Sequence, residues 1–295
     1  MEQLYTKIKH YPTEPEYYIQ IESFATSFEI YVNDSPIFSY FRAGGINTDF
    51  EINYAILKKG VQKLKVVMLP AAPTEKKGFY DALGKNNFVE VVVYKTYNND
   101  EDDDVEVLRL TSPNEETRGP EYPVKFPHYL KPEYIMTGTF NTPDIPYELT
   151  GWSKSKDLTT EDPDKLLKEV VAKYEEIRKI FVNKDYEALS KELYQREYEI
   201  AQSLYYNQED INDRTEYAKE IFKREKYKVV DSIKNYRLRF FGEGKMVALA
   251  RVNTFYYINR SPLYIEYTER DNEKISHYPL LLHKPEGSDK LEVIR

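Results

Sequence analysis

Cysteine is absent from all 295 residues. That removes disulfides, thiolate nucleophiles and cysteine-ligated zinc together. It leaves the compartment open, because a cysteine-free chain suits both a reducing cytosol and the periplasm. Histidine is scarce, with four in the chain: His10, His128, His277 and His283. None stands four residues from another and HExxH is missing, so the sequence implies no metal site and no cofactor. His277 and His283 lie six apart in a stretch that reads as strand. That spacing can bring two imidazoles to one face, although surface or satisfied core histidines are the expectation. Long apolar runs are missing too. No segment approaches the roughly 18 apolar residues of a membrane span. The opening MEQLYTKIKHYPTEPEYYIQ has none of the apolar core of a signal peptide. A cytoplasmic location is expected, or a periplasmic one if a leader has been removed.

Excess positive charge is also lacking. The net charge of −8 argues against a nucleic-acid binder that works by neutralising phosphates. The acidity is uneven: residues 1–157 hold 17 Lys and Arg against 24 Asp and Glu, and the remainder 25 against 26. What the chain has in abundance is tyrosine, 28 residues against 14 Phe and 1 Trp. Tyrosine is favoured in strands and enriched at binding surfaces.

The length suffices for two ordinary domains, and the patterning divides accordingly. In YYIQIESFATSFEIYVNDSPIFSYF, Ile19 and Ile21, then Phe28, Ile30 and Val32, alternate with more polar neighbours. This is the period of strands with one buried face. Asn33, Asp34, Ser35 and Pro36 form a turn signal. Gly44 and Gly45 suggest a loop, and Leu64, Val66 and Met68 alternate after a turn at Lys58, Lys59 and Gly60. Further strands are expected over residues 88–97, 105–110 and within 134–152. Many short strands between turn signals imply an antiparallel β-sandwich or barrel.

From Thr160 the period changes. Thr160 or Asp162 is placed to cap a helix whose first turn holds Pro163 and acids. Leu166, Leu167, Val170, Val171, Tyr174, Ile177 and Phe181 follow at helical spacing. Asp185 is placed to cap a second helix carrying Leu189, Leu193, Ile200 and Leu204, with Glu192 and Arg196 as an i,i+4 pair. A third helix is expected over residues 210–222. Strands return around Tyr236, Leu238 and Phe240, along Met246, Ala248 and Ala250, near Tyr257, and at Leu263, Ile265 and Tyr267, with turns at residues 242–245 and 271–272. The fold class is therefore α+β: a β-sandwich domain over residues 1–157, then an α+β domain over 158–295, joined by the polar stretch 153–163.

Catalytic motifs fail one after another. Gly242, Gly244 and Lys245 lack the spacing of a phosphate loop, and GxSxG is absent. The acidic run Asp100, Glu101, Asp102, Asp103 and Asp104 resembles a calcium loop only superficially, because Val105 and Thr111 stand where Gly and Glu are required. It reads as a solvated hairpin tip or as a docking element for a basic partner. Carboxylate pairs such as Glu175 with Glu176, and Glu197 with Glu199, are expected to face solvent. No residue is singled out as catalytic.

Three resemblances add to this reading. Val32-Asn33-Asp34, Phe50-Glu51-Ile52 and Leu57-Lys58-Lys59-Gly60 stand as in the jelly-roll domains of the galactose-binding-like superfamily, with Gln62 in place of the usual Asn. The order of the second half, with NKDYEAL on a helix, resembles NTF2-like domains, in which a curved sheet wraps a long helix. The two halves together, ending in LLLHKPEGSDKLEVIR, resemble bacterial two-domain proteins found beside secreted antibacterial toxins. That resemblance implies an immunity protein that occludes a secreted toxin or effector stoichiometrically; the charge of residues 100–104 makes them the expected steering element for a basic partner. A carbohydrate-binding accessory protein and an NTF2-like enzyme with an unrecognised pocket are the alternatives.

Overall fold

The computed structural model describes residues 3–42, 44–71, 80–97, 104–114, 126–252 and 258–295. They form an α+β protein that divides into two compact units. One is Tyr11–Glu148. The other is Leu149–Arg295 together with the N-terminal stretch up to His10.

The first unit contains β1 (Pro15–Phe24), β2 (Ser27–Val32), β3 (Ser35–Tyr40), β4 (Gly45–Glu51), β5 (Gly60–Leu69), β6 (Phe88–Tyr97), β7 (Val105–Thr111) and β8 (Tyr134–Thr142). They make two antiparallel four-stranded sheets, ordered β4-β1-β6-β7 and β3-β2-β5-β8. The alternation visible in the sequence is the alternation of burial. Tyr17, Ile19 and Ile21 on β1, Val89, Val91 and Val93 on β6, and Leu64, Val66 and Met68 on β5 are all buried. The inner faces meet. Tyr17 of β1 approaches Phe140 of β8 with ring centroids 6.2 Å apart, and Phe38 of β3 approaches Phe50 of β4 at 5.3 Å. Gly138 of β8 permits β7 to come close, because a Cβ there would lie 3.0 Å from Leu110 and 3.1 Å from Leu108.

The expected turn at residues 33–36 is tighter than the sequence suggests. Asn33 and Asp34, at φ of 52° and 59°, are its only central residues, and Ser35 and Pro36 already pair with β2. Positive φ at both centres is what a two-residue hairpin needs, and Asn and Asp tolerate it. Pro36 is accommodated because β3 is an edge strand. Asn33 donates to Ala55 O (2.9 Å) and to Gln62 Oε1 (2.8 Å), and accepts from Lys63 N (3.0 Å). Gln62 in turn donates to Lys58 O and Thr142 Oγ1. The residues that mark the sequence pattern thus knot the β2–β3 hairpin to the start of β5. Gly45, expected in a loop, begins β4.

In the second unit four helices precede the strands: α1 (Pro163–Asn183), α2 (Tyr186–Glu192), α3 (Tyr194–Ser203) and α4 (Gln208–Ile221). Then come β9 (Glu225–Val229), β10 (Tyr236–Phe241), β11 (Met246–Arg251), β12 (Tyr264–Glu269), β13 (Asn272–His277), β14 (Leu282–His283) and β15 (Glu292–Val293). Their sheets are ordered β13-β12-β9 and β10-β11-β14-β15. The strand expected near Tyr257 lies outside the described residues. Asp162, not Thr160, caps α1, accepting from Lys165 N at 2.7 Å, and Asp185 caps α2. The α1 residues Leu166, Val170, Tyr174, Ile177 and Phe181 are fully buried, in one core with Val247, Leu249, Leu263, Ile265, Leu280 and Leu282.

Two expectations are corrected. The second helix is not continuous: it breaks at Leu193, which closes α2 and opens α3. The Glu192–Arg196 pair does not form, because Lys173 of α1 reaches Glu192 at 2.5 Å and Arg196 lies beside Glu197. The polar stretch 153–163 is tied to the second unit. Lys156 N donates to Lys284 O and Leu158 N to Gly244 O, with Trp152 buried just before. Gly242, at φ of 59°, closes the β10–β11 hairpin against that indole, and a Cβ there would lie 2.7 Å from Trp152.

Tyr174 is the residue on which to test this core. Its hydroxyl donates to Leu280 O (2.9 Å) and accepts from Leu249 N (3.1 Å). Tyr174→Phe is expected to lower unfolding free energy by about 1–3 kcal/mol, the cost of two buried backbone groups losing their partner. Urea denaturation checks this; an unchanged midpoint would refute the role.

Candidate functional site

The outward side chains of the β4-β1-β6-β7 sheet follow from its register. On β1 they are Glu16, Tyr18, Gln20, Glu22 and Phe24, opposite the buried set. Tyr18 is paired with Glu51 of β4 and Tyr94 of β6, Gln20 with Asp49, and Glu22 with Glu90. On β7, Arg109 and Glu106 continue the same face. Six carboxylates (Glu16, Glu22, Asp49, Glu51, Glu90 and Glu106) therefore share one face with a single guanidinium among the described residues of these strands. Arg109 is already engaged, donating to Glu90 (2.6 Å) and Glu106 (2.6 Å).

At the centre, the Tyr18 and Tyr94 rings stack at 5.5 Å with 11° between planes. Their hydroxyls point apart, Tyr18 donating to Glu16 (2.9 Å) and Tyr94 to Asp49 (3.4 Å). The pair forms a flat aromatic platform rimmed by acids. Phe24, 58% exposed, adds an apolar end. The Glu16 carboxyl is held above its ordinary range, first by burial and then by the like charges of Glu51 and Glu14, against the lowering effect of the Tyr18 hydroxyl. Burial also raises the Tyr18 phenol, reinforced by Glu16.

Of the acidic run singled out in the sequence, Asp104 is exposed, immediately before β7 and two residues from Glu106. Asp100, Glu101, Asp102 and Asp103 lie outside the described residues. The flanking strands β6 and β7 pair antiparallel, with Lys95 opposite Val105 at the end of the sheet that bears Glu16 and Glu106.

Other polar groups are wired into the architecture. On the inner side of the same sheet Asp144 accepts from Tyr17 (2.5 Å), Lys95 (2.9 Å) and Tyr97 (2.8 Å). Burial works to raise that carboxyl, but the three donors outweigh it and hold it below the ordinary range. In the second unit the two candidate histidines part company. His277 ends β13 with Nδ1 2.7 Å from Ser261 O, and His283 lies on β14 with Nδ1 2.7 Å from Ser155 Oγ. Burial brings both imidazoles down to about 4. The Ser155–His283 contact joins the segment before α1 to β14, where Ser155 also bridges Pro285. Among the described residues no three His, Asp or Glu side chains gather as a metal site. No described helix is long and apolar enough to cross a membrane. Glu197 and Glu199, expected at the surface, are buried. Glu199 accepts from Gly151 N, Gln195 and Arg295.

Comparison with protein-family models, curated proteins and solved structures finds no match for this chain.

The acidic face generates a pH-dependent expectation. A carboxyl raised in the folded state contributes stability below its unfolded pKa and loses it as pH rises through the folded value. Glu16→Gln is therefore expected to raise the melting temperature at pH 7, and the gain should vanish near pH 4. Thermal melts at the two pH values measure it; an equal gain at both would mean that burial of Glu16 carries no ionisation cost.

Proposed function

We propose that this chain is a non-catalytic binding protein, an immunity protein that neutralises a secreted antibacterial effector by stoichiometric occlusion. The observation that carries the reading is the acidic face around the Tyr18–Tyr94 platform, continuous in sequence with the run at residues 100–104. Occlusion needs a broad surface of matched charge and rigid aromatic anchors, and it needs no reacting group. The partner is a protein with a basic surface.

Within this reading the first unit is jelly-roll-like. Counted around a cycle of eight strands, neighbours in β4-β1-β6-β7 are three, three and one positions apart, and those in β3-β2-β5-β8 are one, three and three. That is the spacing of two interlocked Greek keys. The second unit is read as NTF2-like on the packing of the long α1 against β9 and β11. A cytoplasmic location fits a protein that meets its effector after delivery.

The acids and the aromatics divide the work. Rim carboxylates act over about one Debye length, roughly 8 Å at physiological salt, and speed encounter. Desolvated rings set the lifetime of the complex. Replacing residues 100–104 with Ser should slow association about tenfold at low salt and leave dissociation nearly unchanged. Tyr18→Ala should do the reverse. The measurement is surface plasmon resonance at two ionic strengths, with the partner recovered by pull-down from the source organism. Wild-type association by the Ser variant at low salt would sink the steering role, and a hit on a glycan array with no protein captured would favour the carbohydrate-binding alternative.

A further inference from the structure

A cavity of about 180 Å³ lies among the helices of the second unit, lined by the end of α1, by α2, α3 and α4, and by Tyr278. Most of its wall is apolar, with Leu4, Phe181, Leu189, Leu193, Ile211 and Ile221 among the lining residues. Three charged side chains line it: Arg196, Glu197 and Arg214. Two guanidinium groups share one carboxylate. Arg214 Nε donates to Glu197 Oε2 at 2.5 Å, a direct ion pair. Arg196 Nε stands 3.6 Å from Glu197 Oε1, beyond hydrogen-bond reach. The Arg196 guanidinium is kept in place over the Tyr278 ring, its Cζ 5.8 Å from the centroid.

The unpaired donors gather here. Arg196 Nε and Nη1, Tyr186 Oη and Ser190 Oγ are buried with no hydrogen-bond partner among the described residues. All three residues line this cavity. Buried polar groups are ordinarily paired, and unpaired N–H groups on a charged guanidinium are the costliest to leave so. Burial works to push the Glu197 carboxyl up, but Arg196 and Arg214 outweigh it and hold it down. Glu197 therefore stays ionised and acts as an acceptor for Arg214, and it does not supply a proton to the cavity.

We infer that this cavity binds a small organic monoanion, a carboxylate on a compact apolar body. The carboxylate would accept a single charge-assisted hydrogen bond from Arg196 Nη1, with the Tyr186 and Ser190 hydroxyls as further donors. One negative charge would neutralise the excess of two guanidinium groups over one carboxylate. The apolar walls would take the hydrocarbon part. The cavity is smaller than the roughly 300–1,000 Å³ that holds drug-sized molecules, which limits the body to a single ring or a short branched chain. This inference is independent of the protein-docking face, which belongs to the other unit.

The test uses the full chain and three probes, benzoate, hexanoate and 4-methylpentanoate, with benzyl alcohol as an uncharged ring of similar size. Calorimetry and thermal shift are expected to give saturable one-to-one binding of at least one carboxylate, at least tenfold tighter than benzyl alcohol. Arg196→Met should weaken that binding at least tenfold. Ser190→Ala, which removes an unpaired hydroxyl and leaves the ion pair intact, should weaken it a few-fold without lowering the melting temperature; it keeps the test decisive if the arginine variant misfolds. Failure of all three carboxylates to bind saturably would overturn the proposal. So would a carboxylate affinity equal to that of benzyl alcohol, or one that neither variant alters.

Discussion

The second unit turns on a phenol set into a sheet. Between β11 and β14 the ladder has Val247 opposite Leu282. Two residues further along, where Leu249 and Leu280 would face each other, the Tyr174 hydroxyl bridges Leu249 N and Leu280 O. A helix packed on a sheet by dispersion alone can rotate or slide by small amounts at little cost. One with a side chain in the ladder has its rotation and height fixed together. With Tyr174 in place, Phe181, nearly two turns on, meets Tyr278 at 4.6 Å and Phe222 at 5.7 Å. The Tyr227 hydroxyl then reaches Phe181 O at 2.9 Å. Phe181, which lines the cavity, is thus placed by hydrogen bonds made nearly two turns earlier on the same face of α1.

The same unit buries several charges, and it does so by matching each to more than one partner. Lys284, 2% exposed, meets Glu161 at 2.6 Å and Glu169 at 2.7 Å. Arg295 meets Glu199, which also accepts from a backbone N–H and from Gln195. Removing one member of such a set leaves a desolvated charge behind, which is more damaging than never having had the pair. Arg196 shares Glu197 with Arg214, and its Nε and Nη1 make no hydrogen bond among the described residues.

How much of this is legible in the sequence depends on how local the cause is. The strands β1, β5 and β6 and the helix α1 are visible because one buried face imprints a period of two or 3.6 on consecutive residues. The caps at Asp162 and Asp185 are local chemistry and are visible for the same reason. The absence of the Glu192–Arg196 pair is not, because Lys173 of another helix engages Glu192. The acidic face is read only in fragments. Its carboxylates sit at positions 16, 22, 49, 51, 90 and 106, and the register alone makes neighbours of them. A signal was available in the polar set of β1, where acids and a tyrosine occupy alternate places opposite Ile19 and Ile21. The cavity left none. Tyr186, Ser190, Arg196 and Arg214 look like ordinary helix surface until three helices close around them.

Residues 3–10 belong to the unit whose remainder begins at Leu149, so the two-sheet unit is an insertion within the other one's sequence. Lys9 N donates to Gln202 Oε1 and Gln202 Nε2 returns a bond to Lys9 O, across 193 positions. Leu4 and Ile8 pack with Ala201 and Ile211. During synthesis at about 5–20 residues per second, that separation amounts to roughly 10–40 s. Throughout that interval two apolar side chains have emerged and their pocket has not, while all eight strands of the inserted unit can pair. The second unit therefore inherits a waiting period from chain order alone.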